Sequence, residues 1–135
     1  MISLELARAL RDSGLVWRPE RGDNFRIDRV EADAEVYTLS DMTVEAHTFS
    51  SGTVLGFNGT TEWALDSVAL DDAQWLPRED QLRELLGPAF ASLERVEGQY
   101  RVTAVIDGDR LPFDATDAAD AYARALLALL DSVTA

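Results

Sequence analysis

The chain has one histidine, His47, and acid–base or metal chemistry would have to start there. Imidazole changes charge near neutral pH without help from its surroundings, and it is the commonest metal ligand. The residue types predict a strand over 43–49. On that strand His47 shares a face with Thr43, Glu45 and Phe49, because alternate residues point the same way. Asp41 precedes the strand, Glu35 could lie across the hairpin, and Glu62 lies on the strand predicted over 60–65. An imidazole among carboxylates can act as a general base or help to hold a divalent ion. No catalytic set is assigned, but His47, Asp41, Glu45 and Glu62 are the candidates for a small-ligand or weakly catalytic site. A lone strand histidine more often has a structural role, and no paired histidine or metal-ligand spacing accompanies this one.

Other chemistries lack their parts. A serine nucleophile would need the same His47 as its base. No Gly-x-Ser-x-Gly elbow is present, and Ser50 and Ser51 sit in a turn signal before Gly52. The absence of cysteine removes disulfides, thiolate metal sites and a thiol nucleophile. All twelve basic residues are arginine, so lysine-based Schiff-base and P-loop chemistry is missing as well. Gly52, Gly56 and Gly59 are too scattered to cradle a phosphate. Asp107-Gly108-Asp109 resembles a piece of a calcium loop but lacks the other ligands, and a polar β-turn is the better reading. Asp71-Asp72 also stands out, but a glycosidase pair needs a carboxylate separation that sequence does not give. A calcium site needs about six to eight converging oxygens. The acids at 31, 33, 35, 41, 45, 62, 66, 71 and 72 alternate along predicted strands, which sends neighbours to opposite faces. Neither a structural metal nor a cofactor is expected.

The charge is segregated. The 135 residues carry a net charge of −13. Residues 1–30 hold six arginines and five acids (+1), residues 31–76 hold nine acids and no arginine (−9), and residues 77–135 hold six arginines and eleven acids (−5). An acidic surface repels phosphate backbones and anionic lipid, so neither nucleic acid nor a membrane surface is an expected partner. No apolar run approaches the roughly 20 residues of a membrane span. The start, Met-Ile-Ser-Leu-Glu, does not read as a secretory signal, which makes the cytoplasm the expected location. The length suits a single domain over residues 1–135.

These side chains must be positioned by an α+β fold. Residues 2–13 predict a helix capped by Ser3 and stopped by Gly14, with Leu15 folding back on Leu10. Strands are expected over 24–30, 35–41, 43–49, 53–57 and 60–65, with Asn58-Gly59 as a two-residue hairpin turn. Residues 66–76 are ambiguous. Pro77 suits the first position of a helix over 77–86, whose Leu82, Leu85 and Leu86 line one face. Strands over 90–95, 99–106 and 110–114 follow, with Tyr100, Val102, Ala104 and Ile106 on one side of the middle strand. The last helix, 116–131, is capped by Thr116. It places Ala119, Tyr122, Leu126, Leu129, Leu130 and Val133 on one broad apolar face. The expectation is an antiparallel meander sheet of six to eight strands. Helices pack on it from the N-terminus, near 77–86 and at the C-terminus. Trp17, Trp63 and Trp75 are expected in the core; Phe57 with them could instead line a binding face.

Gly22-Asp23-Asn24-Phe25-Arg26-Ile27 and Gly98-Gln99-Tyr100-Arg101-Val102 each follow a glycine-ended helix. They suggest a weak pseudo-repeat, with halves of about 1–65 and 76–135. The second half has the element order of double-stranded-RNA-binding domains but not their basic surface. Three stretches carry a wider resemblance: Leu39-Ser40-Asp41-Met42-Thr43-Val44, Phe57 to Asp66, and Trp75-Leu76-Pro77-Arg78-Glu79-Asp80-Gln81-Leu82. They resemble a family of short acidic proteins of high-GC Gram-positive bacteria, sometimes carried under a pilus-assembly label. That label implies an ATPase-like assembly factor, which a chain without a P-loop or lysine does not support. The resemblance implies no catalytic residues. The expected function is a non-enzymatic interaction or accessory module that meets a protein partner or its own copy. The alternative is a small-ligand-binding protein or weak enzyme built around His47.

Overall fold

A computed structural model describes residues 1–27, 36–39, 46–49, 52–56, 67–69 and 73–134. Among them the fold is α+β, with helices near the start, in the middle and at the end of the chain. The chain divides into two compact units. One combines Met1–Val16 with Leu76–Ala135; the other is Trp17–Trp75.

In the first unit, α1 (Leu4–Asp12) starts as its sequence requires. Ser3 Oγ accepts from the Leu6 N–H at 3.3 Å, satisfying one of the unpaired donors of the first turn. It also ends as expected. Gly14 takes φ +106°, Leu15 N–H donates to Leu10 O, and Gly14 N–H donates to Arg11 O, both at 3.0 Å. Those two bonds make a complete Schellman ending.

α2 (Glu79–Leu86) begins two residues later than Pro77 suggests. The Arg78 N–H donates to Gln81 Oε1 at 3.0 Å, so Arg78 is the cap and Pro77 lies outside the helix. Leu82 and Leu86 are buried, but Leu85 is 41% exposed and is not a core residue.

β7 (Phe90–Val96), β8 (Gln99–Ile106) and β9 (Asp109–Ala115) form an antiparallel sheet with β8 central. The turns Glu97-Gly98 and Asp107-Gly108 have positive φ at both residues, the mark of the two-residue hairpin whose twist matches the strands. Val102, Ala104 and Ile106 are buried on the inner face of β8, with Tyr100 half-buried beside them.

α3 (Ala118–Thr134) packs on β8 and β9 and between the other helices. Its cap is Asp117, not Thr116: Asp117 Oδ1 accepts from the Ala119 N–H at 2.8 Å. Its burial is not confined to one face. Ala118, Ala119, Ala121, Tyr122, Ala123, Ala125 and Leu126 are all buried, so burial wraps most of the first half and leaves only the side of Arg124 exposed. Alanine makes that close approach feasible without voids. Val133, expected on the apolar face, is exposed near the helix end.

α1 is fastened along one stripe of α3. The Met1 amine donates to Asp117 Oδ2 at 2.8 Å, the Ser3 N–H to Asp120 Oδ1 at 2.6 Å, and Ser13 Oγ–H to Asp131 Oδ1 at 3.0 Å. The helical period puts residues 117, 120 and 131 on the same side. Start therefore meets start and end meets end, so the two helices run parallel, with Ile2, Ala7 and Leu10 buried in the same core.

The second unit contains β1 (Asn24–Ile27), β2 (Tyr37–Thr38), β3 (Ala46–Phe49), β4 (Gly52–Gly56) and β5 (Ser67–Ala69); β6 (Ala73–Leu76) completes the sheet order β2-β1-β6. A further sheet has the order β3-β4-β5 and is antiparallel throughout. Phe25, Leu39 and Ala73, on and beside the β2-β1-β6 sheet, form a buried apolar cluster flanked by Trp17, Ile27 and Tyr37.

The nine described strands thus fall into three three-stranded sheets rather than one sheet of six to eight. Within each sheet the central strand has both edges occupied. In β3-β4-β5, Gly56 pairs with Ser67, so Ser67–Ala69 is the described strand returning on β4; the strand expected over 60–65 lies outside the described residues. The Asn58-Gly59 turn lies outside the described residues.

Candidate functional site

His47 lies in β3, where its described cross-strand neighbour is Val54 of β4. The described strand paired with β3 is residues 52–56; of the segment expected to supply Glu35, 35–41, the described residues Tyr37 and Thr38 pair with β1. Asp41, Glu45 and Glu62 lie outside the described residues, as do Glu35, Ser50, Ser51, Phe57, Trp63, Asp71 and Asp72. The described structure therefore places one member of the candidate set and gives it an apolar neighbour in register. Among the described residues, no group of three or more histidine, aspartate or glutamate side chains could hold a metal ion. Asp107-Gly108-Asp109 is the tight turn into β9, a structural use of those residues.

Among the described residues of the second unit, the densest polar arrangement is one that sequence reasoning passed over. Asp23 is only 2% exposed. Its Oδ2 accepts from Trp17 Nε1–H at 2.9 Å and from the Glu20 N–H at 2.9 Å. Its backbone carbonyl accepts from the Leu39 N–H at 2.9 Å, while the Gly22 N–H donates to Leu39 O at 2.8 Å. One aspartate thereby closes the 20–23 turn, orients an indole and ties β1 to the chain after β2. The Arg-Gly-Asp-Asn run marks a turn in sequence, but nothing local marks the aspartate as buried.

The Trp17 ring lies 5.6 Å from Phe25 and 6.5 Å from Trp75, the two indoles being within 10° of parallel. Phe25 in turn stacks on Tyr37 at 5.6 Å. Trp17 and Trp75 remain half-buried. Gln74 is buried beside them and its Nε2 donates to the Trp75 carbonyl at 2.8 Å. This is an aromatic cluster at the margin of the Phe25 core, where the two tryptophans are half-buried rather than enclosed.

The first unit carries a charged outer sheet face. Arg101 meets Asp114 in a two-pronged contact, Nε to Oδ1 at 2.8 Å and Nη2 to Oδ2 at 3.0 Å, with Glu94 in register on the other side. The bond to Arg101 holds the Asp114 carboxyl below its ordinary range, and the Arg101 guanidinium is raised in return. On the inner face, Arg83 lies 4.6 Å above the Phe90 ring, which contacts Tyr122. Burial raises the Tyr122 hydroxyl, opposed by the charge of Arg83. None of these groups converges on a reacting position.

Both edges of this sheet are protected against adding another strand. The register of β7 shifts between Phe90 and Ser92, which oppose the adjacent residues Ala104 and Thr103, so one extra residue bulges out. β9 carries Pro112, which has no N–H to offer. Bulges and prolines are two of the usual devices that keep exposed edges from pairing.

Comparison with family models, with curated proteins and with solved structures finds no match for this chain.

Proposed function

We propose that this protein is a non-enzymatic interaction or accessory module that meets a basic protein partner through residues 31–76. The observation that carries the reading is the segregation of charge: nine acids and no arginine in that stretch, against mixed charge on either side. A field of one sign steers an oppositely charged partner and rejects like-charged ones. The blunted edges of β7 and β9 support the same assignment, since they turn strand addition away from the C-terminal sheet. Self-association along an edge strand is the second form of this reading. No helix among the described residues is long and apolar enough to cross a membrane. The proposal takes the chain as a cytoplasmic bacterial protein of the short acidic kind its sequence resembles, with no role in nucleic-acid binding.

The test is affinity capture from native lysate at low and high ionic strength. It uses the natural chain and a variant with Asp66, Asp71 and Asp72 changed to asparagine. The expected result is a basic protein retained at low salt, lost at high salt and retained less by the variant. Capture indifferent to both salt and substitution would overturn the proposal.

A further inference from the structure

We draw no further inference here: the strongest candidate, the near-parallel, half-buried Trp17–Trp75 pair beside the buried Asp23 in the unit of residues 17–75, is an apolar face for which nothing in the structure shows what covers it.

Discussion

Replacing Leu82 and Leu85 by alanine, one at a time, tests how α2 is seated. Both leucines fit an apolar helical face by spacing, yet Leu82 is 0% exposed and Leu85 is 41% exposed. Truncating leucine to alanine removes three carbons, a transfer loss of about 2.4 kcal/mol at ~0.8 kcal/mol each when fully buried. At Leu82 a cavity adds to that loss, bringing the expected cost to about 3–5 kcal/mol. At Leu85 water fills the space, so no cavity cost arises. Roughly six-tenths of the transfer term remains there, and alanine's better helix propensity offsets a few tenths, leaving about 1 kcal/mol. The gap of ~2 kcal/mol or more is well outside the error of urea unfolding. The two units offer separate probes. All three described helices lie in the first, and all three tryptophans fall within 17–75. Helical circular dichroism thus follows the unit being perturbed, while tryptophan fluorescence follows the other. Equal costs at the two positions would refute the seating of α2 and would mean that Leu85 is covered in solution.

Asp117 is pushed up by burial, but its bonds to the Met1 amine and to backbone N–H groups win, and its carboxyl sits below the ordinary 3.8. A lowered carboxyl contributes stability that is present above the unfolded value and is lost as pH falls through the folded one. Asp117→Asn should therefore lose less stability than the natural chain when acidified from pH ~5 to below pH ~3.8; equal losses would remove Asp117 from the account. Gly108→Ala should cost on the order of 1 kcal/mol, because φ is +84° while the new Cβ meets nothing within 4 Å, leaving only the backbone penalty. An unchanged urea midpoint would contradict it. Chelation should leave the thermal midpoint where it is; a fall of several degrees that a single divalent ion restores would put a metal into the fold.

The elements legible in the sequence are those decided by close neighbours. The Schellman ending at Gly14 depends on Leu10, Arg11 and Leu15 alone. The hairpins at Glu97-Gly98 and Asp107-Gly108 depend on residues able to take positive φ. The errors arise where a distant contact chooses between equal local options. Thr116 and Asp117 both cap helices well; Asp117 takes the place while also holding Met1, 116 residues away in the chain. Leu82, Leu85 and Leu86 all satisfy a helical stripe, and the direction in which α2 packs on α3 selects two of them. The same limit explains why α1 belongs with the C-terminal elements: the Ser3–Asp120 bond spans 117 residues and leaves no local mark. His47 is instructive for the candidate site. Its strand was legible, but the residue across from it, Val54, depends on register, and a period-two pattern does not identify which strand lies opposite.

Charge and edge geometry together separate the two forms of the proposed interaction. Pairing two copies through residues 31–76 would bring nine acids toward nine. Each close pair at ~8 Å costs about 0.5 kcal/mol in water before screening, so a handful of them opposes dimerisation by a few kcal/mol. The same pairs become favourable when the partner is basic. Raising salt beyond ~0.15 M shortens the screening length below about 8 Å and weakens both effects. Ionic strength therefore acts with opposite sign: it strengthens a homodimer built on the acidic stretch and weakens a complex with a basic protein. Light scattering across a salt series reads the first, and the capture experiment reads the second. The C-terminal sheet gives the homodimer no easier route, because the β7 bulge and Pro112 interrupt the two edges that a second copy would have to extend. A basic partner meets neither obstacle, and the heterotypic form is for that reason the one the charge pattern favours.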